Sequence, residues 1–228
     1  MPIPYDIVIP AYNAHNELPV LLKQIDLLIH KPQKIYIIDD GSKKSYSFPE
    51  FPNLNVHIYR YERNRGKGMA IRKGLELFLN NNDTPFLLLM DADGQHPVQS
   101  IPDFLKKAQT QPFDLLIGNR VGRVGKMPLL RIFSNTVSSL IVSWITGERI
   151  VDSQCGFRLL RRRLIENIQL KEKGFQVETE LIIKSAKQGY KIGFIPIPTI
   201  YNGQKSNIKH FSDTVRFIQI IIKEILSR

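Results

Sequence analysis

Short apolar runs alternate with amphipathic stretches along most of this chain. Runs at 5–10 (YDIVIP), 34–39 (KIYIID), 55–61, 85–90 (PFLLLM) and 113–118 (FDLLIG) each close on polar or glycine-containing turns, the pattern of buried strands. Between them, 17–29, 68–79 and 98–108 place apolar residues three and four apart, which predicts helices. Strand alternating with helix implies crossover connections and an α/β fold with a mostly parallel central sheet flanked by helices. The second half is less regular. Residues 127–145 read as an apolar helix interrupted by Arg131, Asn135 and several hydroxyls, with Trp144 expected in the core. A helix at 178–188 stops at Gly189, a strand follows at 191–197, and 201–210 is a polar, basic loop. A closing helix at 213–226 carries Ile218, Ile221, Ile222 and Ile225 on one face. No repeat or Gly/Ser/Pro-rich linker divides the chain, so the expected organisation is one domain over 1–208 and a C-terminal amphipathic helix within 209–228.

Composition narrows the class. The 228 residues are 43% hydrophobic and 23% charged, which excludes a disordered or fibrous chain and suffices for a full core. The single cysteine, Cys155, cannot pair internally, and the five histidines are scattered with no HExxH pair, so multi-cysteine zinc and dithiol redox chemistry are excluded and an intracellular setting is expected. Neither a secretory leader nor an uninterrupted apolar span is expected. Lys and Arg outnumber Asp and Glu by 32 to 21, a net charge of +11. That balance favours anionic partners: nucleic acid, phosphorylated small molecules or an acidic membrane surface.

In open parallel sheets, ligands sit beyond the carboxyl ends of the strands, and this sequence keeps its acids there. Asp39-Asp40-Gly41-Ser42 follows the second predicted strand and Asp91-Ala92-Asp93 the fourth. Alternation in an extended segment would point Asp91 and Asp93 the same way, with no cation beside them in sequence. Carboxylates so placed repel unless something positive lies between them. A hard divalent cation carrying a diphosphate would satisfy them, with Gln95 adding an oxygen; the plain alternative is an Asp-containing turn. Asn64-Arg65-Gly66-Lys67-Gly68 looks like a phosphate cradle before a helix, although it is not a Walker loop. Aromatics and cations interleave over 59–65, which a solvated loop explains better than an RNA-stacking surface. Cys155 reads as a small buried thiol rather than a nucleophile, and His96 as a turn residue rather than a base.

Together these motifs resemble those of family 2 glycosyltransferases. Ile9-Pro10-Ala11-Tyr12-Asn13, Ile38-Asp39-Asp40-Gly41-Ser42, the Asn64–Gly68 turn and Asp91-Ala92-Asp93-Gly94-Gln95-His96-Pro97 come in the order seen there. Gly118-Asn119-Arg120, Asp152-Ser153-Gln154-Cys155-Gly156-Phe157-Arg158 and Glu178-Thr179-Glu180-Leu181 extend the match over about residues 5–200. Within the family the chain looks most like the dolichyl- or polyprenyl-phosphate sugar transferases. The resemblance implies a GT-A (Rossmann-like) fold, an inverting mechanism, a nucleoside-diphosphate-sugar donor and Mg²⁺ or Mn²⁺. It places Pro10, Tyr12, Asp39 and Asp40 in the nucleotide pocket, with Lys67 and Ala92 beside the donor. Asp91, Asp93 and Gln95 would hold the metal, and Arg120 and Arg131 would meet the acceptor phosphate. Two departures stand out: Ala14 replaces a glutamate frequent in the family, and the chain stops at Arg228 without the spanning tail of some relatives.

The expected activity is transfer of a hexose from a nucleotide sugar to a polyprenyl or dolichyl phosphate or another membrane-associated acceptor. A phosphate acceptor is already ionised and needs no strong base, whereas an alcohol would, with Asp152 the candidate. The expected setting is cytoplasmic, on the inner face of a membrane, held by the basic, isoleucine-faced C-terminal helix, with a homodimer or an integral-membrane partner as further candidates. The competing readings are a sugar-1-phosphate nucleotidyltransferase, disfavoured by the lack of a long glycine-rich loop after the first strand, and a basic RNA-binding module. Acids clustered at strand ends would repel a polyanion, so no nucleic-acid partner is expected.

Overall fold

The computed structural model describes residues 3–48, 51–81, 84–121, 129–200 and 221. Seven strands form one sheet in the order β3-β2-β1-β4-β6-β5-β7. They are β1 (Tyr5–Ala11), β2 (Ile35–Asp39), β3 (Val56–Arg60), β4 (Phe86–Leu89), β5 (Leu115–Val121), β6 (Arg158–Arg161) and β7 (Ile192–Pro198). The helices are α1 (Glu17–Asp26), α2 (Lys67–Asn81), α3 (Ile101–Thr110), α4 (Leu129–Thr146), α5 (Arg162–Asn167) and α6 (Val177–Lys187).

The two strands at the heart of the first half are apolar because both their faces are covered. Ile7, Val8 and Ile9 of β1 and Ile35, Ile37 and Ile38 of β2 are fully buried. β1 pairs in parallel with β2 on one side, Ala11 opposite Asp39, and with β4 on the other, Val8 opposite Leu89. The carboxyl ends of β1, β2 and β4 therefore open on one edge, and the acid clusters expected at that edge lie there.

The sheet departs from all-parallel at β6, which no apolar run announced. This strand runs antiparallel to both neighbours, with Leu88 opposite Leu159 and Leu116 also opposite Leu159. It is four residues long and carries an arginine at each end, so its sequence reads as a polar turn around two leucines. Trp144 corrects a second expectation, because it is exposed rather than in the core. Helix α4 turns Asn135, Ser138, Ser139, Val142 and Ile145 inward instead, so small polar residues occupy much of its buried face. Of the predicted C-terminal helix, Ile221 alone is described; it is half-buried and packs against the hydrophobic core. The basic loop 201–210 and the rest of the closing helix lie outside the described residues. No helix among the described residues is long and apolar enough to cross a membrane.

Candidate active site

The turn after β2 is organised by its own acids. Asp39 accepts the Ser42 N–H at 2.8 Å through Oδ1, while its buried Oδ2 accepts no hydrogen bond and lies 3.6 Å from Nε of Arg60. Asp40 reaches across to the next turn and accepts the N–H groups of Arg65 (2.7 Å) and Gly66 (2.9 Å). Burial raises its pKa; the two N–H donors oppose the rise, and neighbouring Asp39 adds to it. The Asn64–Gly68 segment is thus pinned at its start by a carboxylate. Gly66 is needed there twice over: its φ is +98°, and a Cβ would collide with the Lys173 carbonyl. Pro10 is the penultimate residue of β1, and Tyr12 follows that strand, partly exposed.

The pinned turn delivers Lys67 to the end of β4. Its ammonium sits 2.6 Å from Asp91 Oδ1 and 2.6 Å from Glu178 Oε1. The positive charge required beside Asp91 therefore comes from this chain, through a contact no local reading of the sequence contains. Burial disfavours the charge on Lys67, but Asp91 and Glu178 outweigh it and raise the lysine's pKa. For Asp91, burial pushes upward, while Lys67, His96 and Arg158 pull harder and leave the carboxyl below its ordinary value.

Asp91 and Asp93 do not continue the strand alternation. Leu89 is the last residue of β4, and the chain then turns, with Asp93 Oδ1 accepting the Gln95 N–H at 2.9 Å. The extended alternation behind the same-side expectation is absent, because β4 ends at Leu89 and Asp93 sits beyond the ladder, in a turn. Ala92 between them is buried. His96 closes the turn: its Nδ1 accepts the Asp91 N–H at 3.0 Å, and its ring stacks on Phe157 at 5.1 Å. Burial holds its pKa down, with Asp91 and Asp93 opposing the fall.

Arg120, near the end of β5, is held by a two-pronged ion pair. Its Nε donates to Asp152 Oδ2 and its Nη2 to Asp152 Oδ1, both at 2.8 Å, and Asn135 of α4 adds a 3.0 Å bond to Oδ1. Asp152 is fully buried. Both its oxygens are engaged by donors, an arrangement that fixes a guanidinium rather than one that takes a proton from substrate. Asp152, the candidate base for an alcohol acceptor, is here the partner that holds Arg120. Arg131 lies in the first turn of α4, and its side chain is outside what the structure describes.

Several residues at this site carried no role in the sequence reading. Arg158, fully buried, donates to the carbonyls of Ser153 (2.9 Å), Cys155 (2.8 Å) and Glu178 (2.6 Å), tying the loop before β6 to α6. Gly156 packs so closely that a Cβ would lie 2.7 Å from Asp91 Oδ2 and 3.0 Å from Glu178 Oε1. Glu180 accepts the N–H groups of Lys171 and Glu172, fixing the loop against which Gly66 and Gly68 rest. Nothing local separates Arg158 from the arginines at 161–163, so its burial follows from the fold and not from the sequence pattern. Cys155 is a buried thiol whose pKa burial pushes up to about 12. The interleaved aromatics are paired within the chain, Arg65 over Tyr61 and Lys73 over Tyr59.

No group of three or more His, Cys, Asp or Glu side chains among the described residues is arranged to hold a metal by itself. The donor chemistry nonetheless suits a hard cation. Such an ion takes one or two protein carboxylates and completes its shell with phosphate oxygens, and Asp91 and Asp93 supply carboxylates of that kind at the carboxyl end of β4.

Comparison with known proteins identifies the family and the fold. The family model described as "Glycosyl transferase family 2" matches residues 6–169. A protein of Methanocaldococcus jannaschii without an assigned activity is 32% identical over 196 residues, 81% of this chain and 83% of its own length. Dolichyl-phosphate hexose transferase of Haloferax volcanii is 24% identical over 222 residues, covering 96% of this chain and 93% of the relative. Among solved structures, glucosyl-3-phosphoglycerate synthase from Mycobacterium tuberculosis, in complex with Mn²⁺, UDP and phosphoglyceric acid, superposes with a TM-score of 0.70 at 15% identity, over 99% of this chain and 78% of that one.

Proposed function

This chain belongs to glycosyl transferase family 2, and on that premise we propose that it moves a hexosyl group from a nucleoside-diphosphate sugar to a polyprenyl or dolichyl phosphate. The observation that carries the reading is Arg120. Its guanidinium is locked by Asp152 and feels the charge of Glu178 from the Asp91–Lys67–Glu178 cluster. A rigid cation beside the donor-side acids suits an acceptor that is itself an anion. The name of the Haloferax relative supports a lipid phosphate, and the Mn²⁺ and UDP of the mycobacterial structure support the donor and the cation.

On this reading, the buried Oδ2 of Asp39 is the acceptor that a donor group of the nucleotide would satisfy, with Pro10 and Tyr12 bordering the same pocket. Asp40 shapes the pocket by fixing the Arg65–Gly66 turn. Asp91 and Asp93, with Gln95 alongside, would hold Mg²⁺ or Mn²⁺, which when bound neutralises charge on the leaving diphosphate. Lys67 lies where it can pass from Asp91 to a diphosphate oxygen, and Ala92 keeps the turn free of bulk. Arg120 orients the acceptor phosphate, with Arg131 assigned the same task. One acceptor oxygen attacks the anomeric carbon from the face opposite the diphosphate. The new carbon–oxygen bond forms as the old one breaks, and the nucleoside diphosphate departs with the electron pair. The attacking oxygen already bears charge, so no general base is required.

The test is a transfer assay with radiolabelled UDP- and GDP-sugars against polyprenyl phosphate, the matching prenol and 3-phosphoglycerate, with Mn²⁺ or EDTA. The expected result is an organic-extractable glycolipid from the phosphate, none from the prenol, and loss with EDTA. Transfer confined to phosphoglycerate would overturn the lipid acceptor, and formation of a nucleotide sugar from sugar phosphate would overturn the reaction class.

A further inference from the structure

Lys67 brings into the donor-side cluster a cation that belongs to the chain itself. Its ammonium has two carboxylate partners, Asp91 Oδ1 and Glu178 Oε1, each at 2.6 Å, and all three side chains are mostly buried. They come from separate elements: Lys67 opens α2, Asp91 lies just beyond β4 and Glu178 sits in the first turn of α6. The lysine stem has a fixed origin, because Gly66 and Gly68 lie against the carbonyls of Lys173 and Glu172 and set where α2 begins. Asp91 is confined as well. Its Oδ2 lies 3.8 Å from His96 Nε2 and faces Gly156, where a Cβ would come within 2.7 Å.

The two carboxylates assigned to a divalent cation are therefore unequal. Asp93 accepts a neutral backbone N–H, that of Gln95, whereas Asp91 shares an ammonium with a third acid. A divalent ion and an ammonium on one carboxylate repel each other strongly, and burial limits how far solvent and salt can screen them. Glu178 offers the ammonium a place to remain when Asp91 is taken, and the flexible four-carbon stem lets it move. A diphosphate shifts the balance again. Its oxygens are acceptors for an ammonium and ligands for a hard cation, so it relieves the repulsion between the two.

We propose that Lys67 masks Asp91 as an internal counter-ion, with Glu178 as its second seat, so that a divalent cation binds weakly until a nucleoside diphosphate arrives with it. Glu178 is then a positioning residue, acting through Lys67. The arrangement makes the two ligands mutually dependent: whatever factor the diphosphate adds to cation affinity, the cation adds to diphosphate affinity. It also keeps buried carboxylates compensated between turnovers, when an unpaired charge would be costly. This inference rests on the nucleotide and metal part of the proposed function. Its test uses neither sugar nor lipid, so failure of the transfer reading and failure of the mask are distinguishable.

Free Mn²⁺ would be followed by its electron paramagnetic resonance signal while the full chain is titrated, with and without UDP. The central variant combines Lys67→Gln with Glu178→Gln. One positive and one negative charge leave together, so the local balance is kept and only the mask on Asp91 is lost. The expected result is a melting temperature close to wild type and Mn²⁺ alone bound about ten- to a hundredfold more tightly, with a smaller further gain on adding UDP. Lys67→Gln by itself leaves Asp91 and Glu178 uncompensated. Its melting temperature should fall, and Mn²⁺ alone should raise it by more than it raises that of wild type. Lys67→Arg, which keeps the charge, should bind Mn²⁺ alone as weakly as wild type does. Unchanged or weaker Mn²⁺ affinity in the double variant would overturn the proposal and leave Lys67 as a plain diphosphate ligand. A Lys67→Gln chain that Mn²⁺ stabilises no more than wild type would overturn it too. A wild-type chain that takes up no Mn²⁺ even with UDP would remove the cation itself, and with it both the mask and the metal part of the proposed function.

Discussion

The two halves of the sheet's carboxyl edge are built by different means. On the side of β1, β2 and β4, acids hold backbone: Asp39 caps Ser42, Asp40 holds Arg65 and Gly66, and Asp93 holds Gln95. On the side of β5 and β6, side chains hold side chains and buried arginines hold carbonyls: Asp152 grips Arg120, and Arg158 gathers three carbonyl oxygens. In the first kind a carboxylate satisfies backbone N–H groups, two or three residues away for Asp93 and Asp39 and 25 or 26 away for Asp40, without bringing a second charge into the interior. The second places arginines in the interior, where Arg120 depends on a partner 32 residues away and Arg158 on carbonyls 3, 5 and 20 residues away. A change on the second side should therefore damage fold and function together, and a change on the first side mainly function.

The sharpest test of that contrast is Asp152→Asn. It leaves the Arg120 guanidinium without its counter-charge in a mostly buried pair, and such losses amount to about 3–5 kcal/mol. For a domain of this size each kcal/mol corresponds to roughly 2–4 °C, so a melting drop of about 6–20 °C is expected by calorimetry, with transfer lost as well. Next in size is Asp91→Asn, expected to lower turnover about 10²- to 10³-fold, by analogy with removing one group that stabilises developing charge, while the melting temperature moves by only a few degrees. A stability loss as large as that of Asp152→Asn would erase the distinction between the two sides. Asp40→Asn should cost about 1 kcal/mol, since one amide oxygen can keep one of the two backbone bonds, and should weaken nucleotide binding measured by titration calorimetry.

The smallest effect separates two acids by sign. Asp91 has a lowered folded-state pKa, so its contribution to stability is present above the unfolded value of about 3.9 and disappears as pH falls through the lower folded value. Asp40 has a raised folded-state pKa, so it costs stability as pH rises from about 3.9 through its higher folded value. Denaturant midpoints of wild type and the two Asn variants between pH 3 and 7 should show opposite slopes of the differences, Asp91→Asn losing ground as pH rises and Asp40→Asn gaining it.

What the sequence disclosed follows the same division. Strands such as β1 and β2, with uninterrupted apolar runs, and the acids at their ends could be read directly, because burial and turn chemistry are local properties. Strand β6 could not, since two leucines between arginines carry no period, and its place in the sheet is set by neighbours on both sides. Lys67 was singled out for its glycines rather than for Asp91 and Glu178, contacts that exist only after folding. Trp144 was misplaced because an apolar helix was assumed to turn its largest side chain inward. Here the inward face is made of serines and an asparagine with internal partners, which leaves the large residues outside.

The antiparallel β6 has a consequence for how the chain is made. Strand β5 enters the sheet only between β6 and β7, both of which are synthesised after it. While the first four strands can already zip together on an emerging chain, Leu115, Leu116 and Ile117 must wait, unpaired, until residues 158–161 follow. Such late, non-local pairing slows folding and exposes a sticky edge in the interval. A ribosome stalled between α4 and β6 should therefore display a nascent chain that recruits holdase chaperones, and one stalled well beyond β7 should not.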